Sequence, residues 1–572
     1  MLDPRALSTN EVLPDDDRNQ LVKQRAAARS ELALLDAQIA LTELELVDND
    51  DSQTPPSSPF ASQQIHDISN RRRRRKTLTS LISAYDTALA PHKYLPAELL
   101  AYIFTLAFNG AHFPTHLPPP PTPRGRNGGS TAAGTPLALC HTCSRWRIVA
   151  LNTPELWTDV VLLYTKATDP YRTMSVVEEW FARAGSTKPL SLTISRWSGP
   201  RTCGGMRKDH ADVLGAFFER LVLPNTRRFR QLSLCLAKRE LVALLNMPAL
   251  SFTLLESISL AMDRDNRSTP NPTKNAKSPF LTNAPRLTDF ELNNFGRRIG
   301  LWTRNLCPYE KLTRFRCTKT PLLISECHSI LKRCRRLVDC HLDICGLSRT
   351  NSLESPSKRI ELPLLSTLHI EFDYESQPSA IQTNLQRDVE AFFEPLYLPN
   401  LKELSISFAQ WRLRTFPHQA LVTFLTRSCC ELEGLKIADA DLEAAAVSDL
   451  INALPSLKAL HIGVDNLLPR TALPQMAAGE LLPKLEFLVC RIDDLESMIK
   501  MLELRWKEAD STECDSDGWE SPSTIRPSCL KFVMVEYVGA RIARDQAVRV
   551  DRLRDNGVRI EMIRASVERA SD

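Results

Sequence analysis

The chain has 572 residues, of which 43% are hydrophobic and 24% charged, with a formal net charge of +4. That length admits about two to four domains, and that composition excludes a wholly disordered chain. So small a net charge argues against a general polyanion partner, so no specific nucleic-acid partner is expected. No apolar run approaches the roughly 18 residues of a membrane span, and no membrane partner is expected.

The opening MLDPRALSTNEVLPDDDRNQ lacks an apolar core behind a basic end, unlike a secretory signal. The 15 cysteines are scattered, mostly inside apolar patterns such as LVDCHL and FLVC. They are expected as reduced, buried thiols of a cytoplasmic or nuclear protein.

In chain order, residues 1–17 read as a disordered tail and 18–90 as a helical hairpin. In RNQLVKQRAAARSELALLDAQIALTELEL, residues Leu32, Leu35, Ile39 and Leu46 fit a heptad seam, with Thr42 its one non-apolar position. Acids, prolines and serines then predict a disordered loop over 48–70. The second helix, RRRRRKTLTSLISAYDTALA, aligns Leu78, Leu81, Ile82, Tyr85 and Leu89. A seam this short and imperfect favours an antiparallel hairpin over a homodimeric coiled coil. The run Arg71 to Lys76 reads either as a nuclear-localisation or anionic-surface contact or as a solvated helix start. Basic residues at a helix N-terminus are slightly unfavourable, which argues against helix design alone.

In YLPAELLAYIF, Pro96 stands where a helix starts, and Leu95, Leu99, Leu100, Ile103 and Phe104 form one broad apolar face. That face is too large for a free helix of three turns. The Pro- and Gly-rich stretch 109–135 predicts a disordered insertion. Beyond it, Leu139, Cys143, Trp146 and Ala150 share one helical face, with Trp157 past a turn. The spacing of Cys140 and Cys143 is half a zinc site, but no second pair completes it, and neither metal nor cofactor is expected.

From about residue 185 the pattern Leu-x-x-Leu-x-Leu recurs, as in FRQLSL, LTDFEL, LTRFRC, LVDCHL, LKELSI and LKFVMV, mostly at steps of 25 to 36 residues. This period predicts an irregular leucine-rich-repeat solenoid with a parallel sheet, an α/β architecture. A linking region with a weak first repeat would cover 161–228 and the solenoid 229–572. Disordered loops are expected near 264–279, 347–359 and 509–526.

In such strands the leucines point inward and the residues between them line the concave face. Asp289, Glu291 and Asn293 would neighbour Arg314, Arg316 and Thr318, then Asp339, His341 and Asp343. These positions pair across strands for a few tenths to about 1 kcal/mol each, or form a recognition surface. Candidate substrate-binding residues are therefore Glu291, Arg314, Arg316, Asp339 and His341. Further along, Phe487, Phe532 and Met534 make the same face apolar. Either a partner binds there or the segment DNGVRIEMIRA folds over it as a cap. His341, His369 and His461 are expected to face solvent. No nucleophile elbow, phosphate loop or zincin motif is present, so no enzyme is expected.

The segments LAPHKYLPAELLAYIF and LALCHTCSRWRIVALNTPELWTDV, with WFARAGSTKPLSLTIS beyond them, resemble the F-box proteins with C-terminal leucine-rich repeats abundant in mushroom-forming fungi. The resemblance implies a small all-α F-box over 91–160, after the hairpin and before the repeats. It implies docking on the Skp-family adaptor of a cullin-RING ubiquitin ligase, with the repeats binding an unknown protein substrate. By this resemblance Leu95, Pro96, Leu99, Leu100, Ile103, Phe104 and Trp146 would form the adaptor contact. The insertion 109–135 departs from the family pattern by splitting the motif. The alternative is a non-catalytic repeat scaffold that does not engage the ligase.

Overall fold

The computed structural model describes residues 13–50, 59–109, 136–164, 170–196, 216–236, 252–262, 281, 284–295, 307–345, 359–373, 381–409, 416–463, 466–510, 527–537 and 542–564. The expected tail, apart from its last residues, lies outside these, as do most of the insertion 109–135 and of the loops near 264–279, 347–359 and 509–526. The chain divides into two compact units, one of Met1–Val161 with Ser175–Lys188 and one of Leu162–Met174 with Pro189–Asp572.

The first unit opens with an antiparallel pair, α1 (Asp15–Asp50) and α2 (Pro59–Ala88). Because α2 begins at Pro59, much of the loop expected over 48–70 is helix; proline is well suited to a first helical turn. Leu21, Ala28, Ile39, Ile68, Leu78 and Ala88 are buried along the seam. Three side chains of the arginine run pair with acids of α1 while staying more than half exposed. Arg72 pairs with Glu43 at 2.8 Å, Arg74 with Glu31 at 2.8 Å and Arg75 with Asp36 at 2.7 Å. Arg71 donates to Thr42 Oγ1 at 2.9 Å, giving the one polar seam position a partner.

Next come α3 (Ala97–Asn109), α4 (Pro136–Thr142) and α5 (Ser144–Leu151). The single helical face expected from Leu139 to Ala150 is broken at Cys143. That residue is extended, and its Sγ accepts from the backbone N–H of Trp146 at 3.3 Å, capping α5. Arg145 donates to the carbonyls of Lys93 and Leu95 and so fixes the approach to α3. Trp157 is fully buried, its Nε1 donating to Ala150 O at 2.8 Å, with the Trp180 ring 4.6 Å away.

The second unit is built on one parallel sheet whose strands follow chain order, fourteen among the described residues. They are β1 (Asp159–Tyr164), β2 (Leu190–Arg196), β3 (Phe229–Leu236), β4 (Ser257–Met262), β5 (Asp289–Asn293), β6 (Arg314–Leu322) and β7 (Asp339–Ile344). There follow β8 (Thr367–Asp373), β9 (Glu403–Ala409), β10 (Gly434–Ile437), β11 (Ala459–Ile462), β12 (Phe487–Ile492), β13 (Phe532–Tyr537) and β14 (Arg559–Arg564). A separate parallel pair joins Ile360–Glu361 to Leu396–Tyr397.

The register explains the sequence pattern. A column of buried residues runs from Leu192 through Leu232, Ile258, Phe290, Phe315 and Cys340 to Leu368. It continues through Leu404, Leu435, Leu460, Leu488 and Val533 to Ile560. Strand side chains alternate, so each strand buries one set and leaves the residues between them on a polar face. In several motifs the opening leucine, such as Leu287, Leu365 or Leu401, closes a turn by donating to the carbonyl three residues earlier. Several connections are helical, including Ile324–Leu331, His418–Ser428 and Leu495–Asp510.

Arg505 is among the buried charged side chains of this unit. Arg505 donates to the carbonyls of Met476 and Leu482 at 2.8 Å and of Pro483 and Ser528 at 3.0 Å. Burial lowers its pKa to about 10. No helix of the described residues is long and apolar enough to cross a membrane.

Candidate functional site

Two surfaces gather the residues singled out in the sequence, one on each unit. On the first unit, the broad apolar face of α3 separates into two stripes. Leu100 and Phe104 are only 2% exposed and belong to the core. Phe104 packs on Trp146 with ring centroids 4.9 Å apart. These two residues, expected at an adaptor contact, therefore hold the module together and offer little surface, and Trp146 is partly buried beside them.

The outer stripe is Leu99, Tyr102, Ile103 and Leu106, 45–62% exposed at helical spacing, with exposed Pro96 before it. Leu95 is partly buried, and Ile148 on α5 is a further exposed apolar side chain. Tyr102, Leu106 and Ile148 were not singled out from sequence. Their signal was present: a helix apolar on more than one side must bury one side elsewhere.

On the second unit, the polar face of β5 to β8 carries the predicted charge rungs. Arg314 pairs with Asp289 at 3.4 Å, and Arg316 donates to Asp339 at 2.7 Å. That hydrogen bond raises the Arg316 pKa, whereas burial raises that of Asp289 against the pull of Arg314. Glu291, Arg316, Thr318, Asp339, His341 and His369 line one pocket of roughly 470 Å³, open to solvent. The structure thus brings together Glu291, Arg316, Asp339 and His341, while Arg314 is engaged beside them. His341 is half-buried rather than fully solvent-facing, and its ring lies 5.7 Å from that of His369.

Beyond His341 the sheet changes character. Between Cys317 and Leu322 the register of β6 against β7 shifts, so that residues 318–321 bulge opposite Asp343. Lys319 takes a left-handed conformation (φ 50°) within this bulge. Thr320 N donates to Asp343 Oδ2 at 3.2 Å. Asp343 follows His341 on the polar face, yet it is only 2% exposed. Glu371 is its registered neighbour on β8. Sequence gave Asp343 as one rung of the face but no sign of its burial.

Farther along, Phe487 pairs in register with Phe532 and Val489 with Met534, an apolar patch distant in register from the charged pocket. Phe487 is exposed, and the Arg559 guanidinium lies 5.5 Å from the Phe532 ring centre. The segment DNGVRIEMIRA does not fold over this patch. Most of it extends the sheet as β14, in register with β13, because its alternating Val558 and Ile560 continue the buried set.

No protein-family model matches the chain, and no curated protein matches its sequence.

Proposed function

We propose that this chain is the substrate-recognition subunit of a cullin-RING ubiquitin ligase, its first unit acting as an F-box and its second as a leucine-rich-repeat solenoid. The observation that carries the reading is the outer stripe of α3. Leu99, Tyr102, Ile103 and Leu106 stay exposed although the same helix already buries Leu100 and Phe104. Fully burying a side chain of this kind contributes about 1.5–3 kcal/mol, so four partly exposed anchors support a specific complex. The Leu95–Pro96 entry and the neighbouring Trp146 agree with the resemblance noted in the sequence. In this reading the Skp-family adaptor covers the stripe and the polar face of the sheet engages a protein substrate. Ubiquitin transfer then takes place on other subunits.

The test is a binding titration of the full chain with a purified Skp-family adaptor. Binding that survives in the parent and is lost in a folded Leu99→Ala/Ile103→Ala variant supports the reading. An adaptor that does not bind at micromolar concentration leaves a repeat scaffold that works without the ligase.

A further inference from the structure

Asp343 poses a problem that the reading above does not answer. Its carboxylate lies under the β6 bulge, and while Oδ2 accepts from Thr320, Oδ1 is buried with no hydrogen-bond partner. A buried carboxylate is costly unless something neutralises it. The His341 Nε2 lies 3.7 Å from this oxygen, too far for a hydrogen bond. Glu371 adds a second acid from the next strand, and one ligand atom from each of the three residues lies within 4.8 Å of the others.

We propose that His341, Asp343 and Glu371 bind a divalent transition-metal ion. One imidazole and two carboxylates suit zinc, cobalt or manganese, whereas calcium takes six to eight oxygen ligands and magnesium a near-ideal octahedron. Metal–ligand bonds of about 2.0–2.2 Å require the three donors to draw together by roughly an ångström. Small side-chain rotations of the half-exposed His341 and Glu371 supply that movement, while Asp343 is held by the bulge. The surroundings favour a cation: Asp373 and Asp439 act on Glu371, with Lys319 opposing them. Around His341 the neighbouring ionisable groups are His369, Arg316 and Asp339, the last two bonded to each other.

His341 also lines the open pocket, so the ion's remaining coordination positions would be reached from there. Thr318, whose buried hydroxyl has no hydrogen-bond partner, lines the same pocket. This proposal is independent of adaptor binding.

The experiment is a Co²⁺ titration of the chelator-treated full chain, followed by visible absorption and thermal denaturation. One equivalent should bind, with d–d bands but no thiolate-to-cobalt charge transfer, and should raise the melting temperature. Asp343→Asn and His341→Gln should each weaken binding at least tenfold and abolish the thermal shift. Asp343→Asn removes a buried charge and is expected to fold; if it does not, His341→Gln, at a half-exposed position, decides. Absence of binding at high micromolar Co²⁺, a thiolate signature, or binding unchanged in the variants overturns the proposal.

Discussion

Phe104 and Trp146 face each other across the first unit with ring planes inclined by 59°, while Ile103, the preceding residue, stands exposed on α3. Adjacent positions thus serve packing and surface separately. Trp146→Ala is expected to cost about 2–4 kcal/mol, and Ile103→Ala less than about 0.5 kcal/mol. Thermal denaturation followed by circular dichroism checks both. Equal losses would mean that the outer stripe is core and not available surface.

The arginine run gives a second prediction. Arg75 and Asp36 pair at 2.7 Å between α1 and α2 with both side chains partly exposed, so the pair contributes about 0.2–1 kcal/mol. Arg75→Asp should lower hairpin stability by somewhat more, because it sets like charges together, and Asp36→Arg in the same chain should restore it. The rescue should weaken as salt rises. A charge reversal that leaves denaturation unchanged at low salt would remove the run from the hairpin's support.

Arg505→Ala would remove the side-chain donor shared by the carbonyls of Met476, Leu482, Pro483, Leu485 and Ser528, of which Met476, Leu482 and Pro483 keep a backbone N–H donor. A loss of about 1–3 kcal/mol is therefore expected. Arg505→Lys should recover only part, since an ammonium lacks the planar fork. Urea denaturation of the three proteins measures this, and a loss below 1 kcal/mol in the alanine variant would contradict it.

A pH dependence follows from His328, buried with Nε2 3.1 Å from the carbonyl of Phe392. Burial lowers its pKa below the ordinary 6.5, more than the carbonyl contact raises it. The unfolded chain therefore binds a proton there before the folded chain does. Its contribution is fully present above pH 6.5 and declines as pH falls towards the folded pKa, by at most about 1.4 kcal/mol per pH unit. The melting temperature of the parent should fall more steeply between pH 7.5 and 5.5 than that of His328→Gln. Parallel profiles would assign the dependence to other groups.

The sheet was largely readable from sequence, because a period-two strand with leucines at fixed offsets leaves one register for its buried set. Each quoted repeat from Phe229 to Leu530 coincides with a strand. What escaped sequence depends on contacts across long separations. The burial of Asp343 arises from a bulge more than twenty residues earlier, and the partners of Arg72, Arg74 and Arg75 are 29 to 43 residues away. Arg505 was invisible because its partners are backbone carbonyls, which every residue carries. The division between Leu99 and Leu100 was equally hidden, since both are leucine and only the surrounding helices decide which is covered.

The chain-order sheet has a further consequence. Each interior strand bonds only to its immediate predecessor and successor in the sheet, so order can spread from any nucleus by local steps, without closing a long loop. Stability in such an array is close to a sum of nearest-neighbour terms. The unit should therefore fray from its last strand inward, with amide exchange fastest in β14 and slowest near the middle strands.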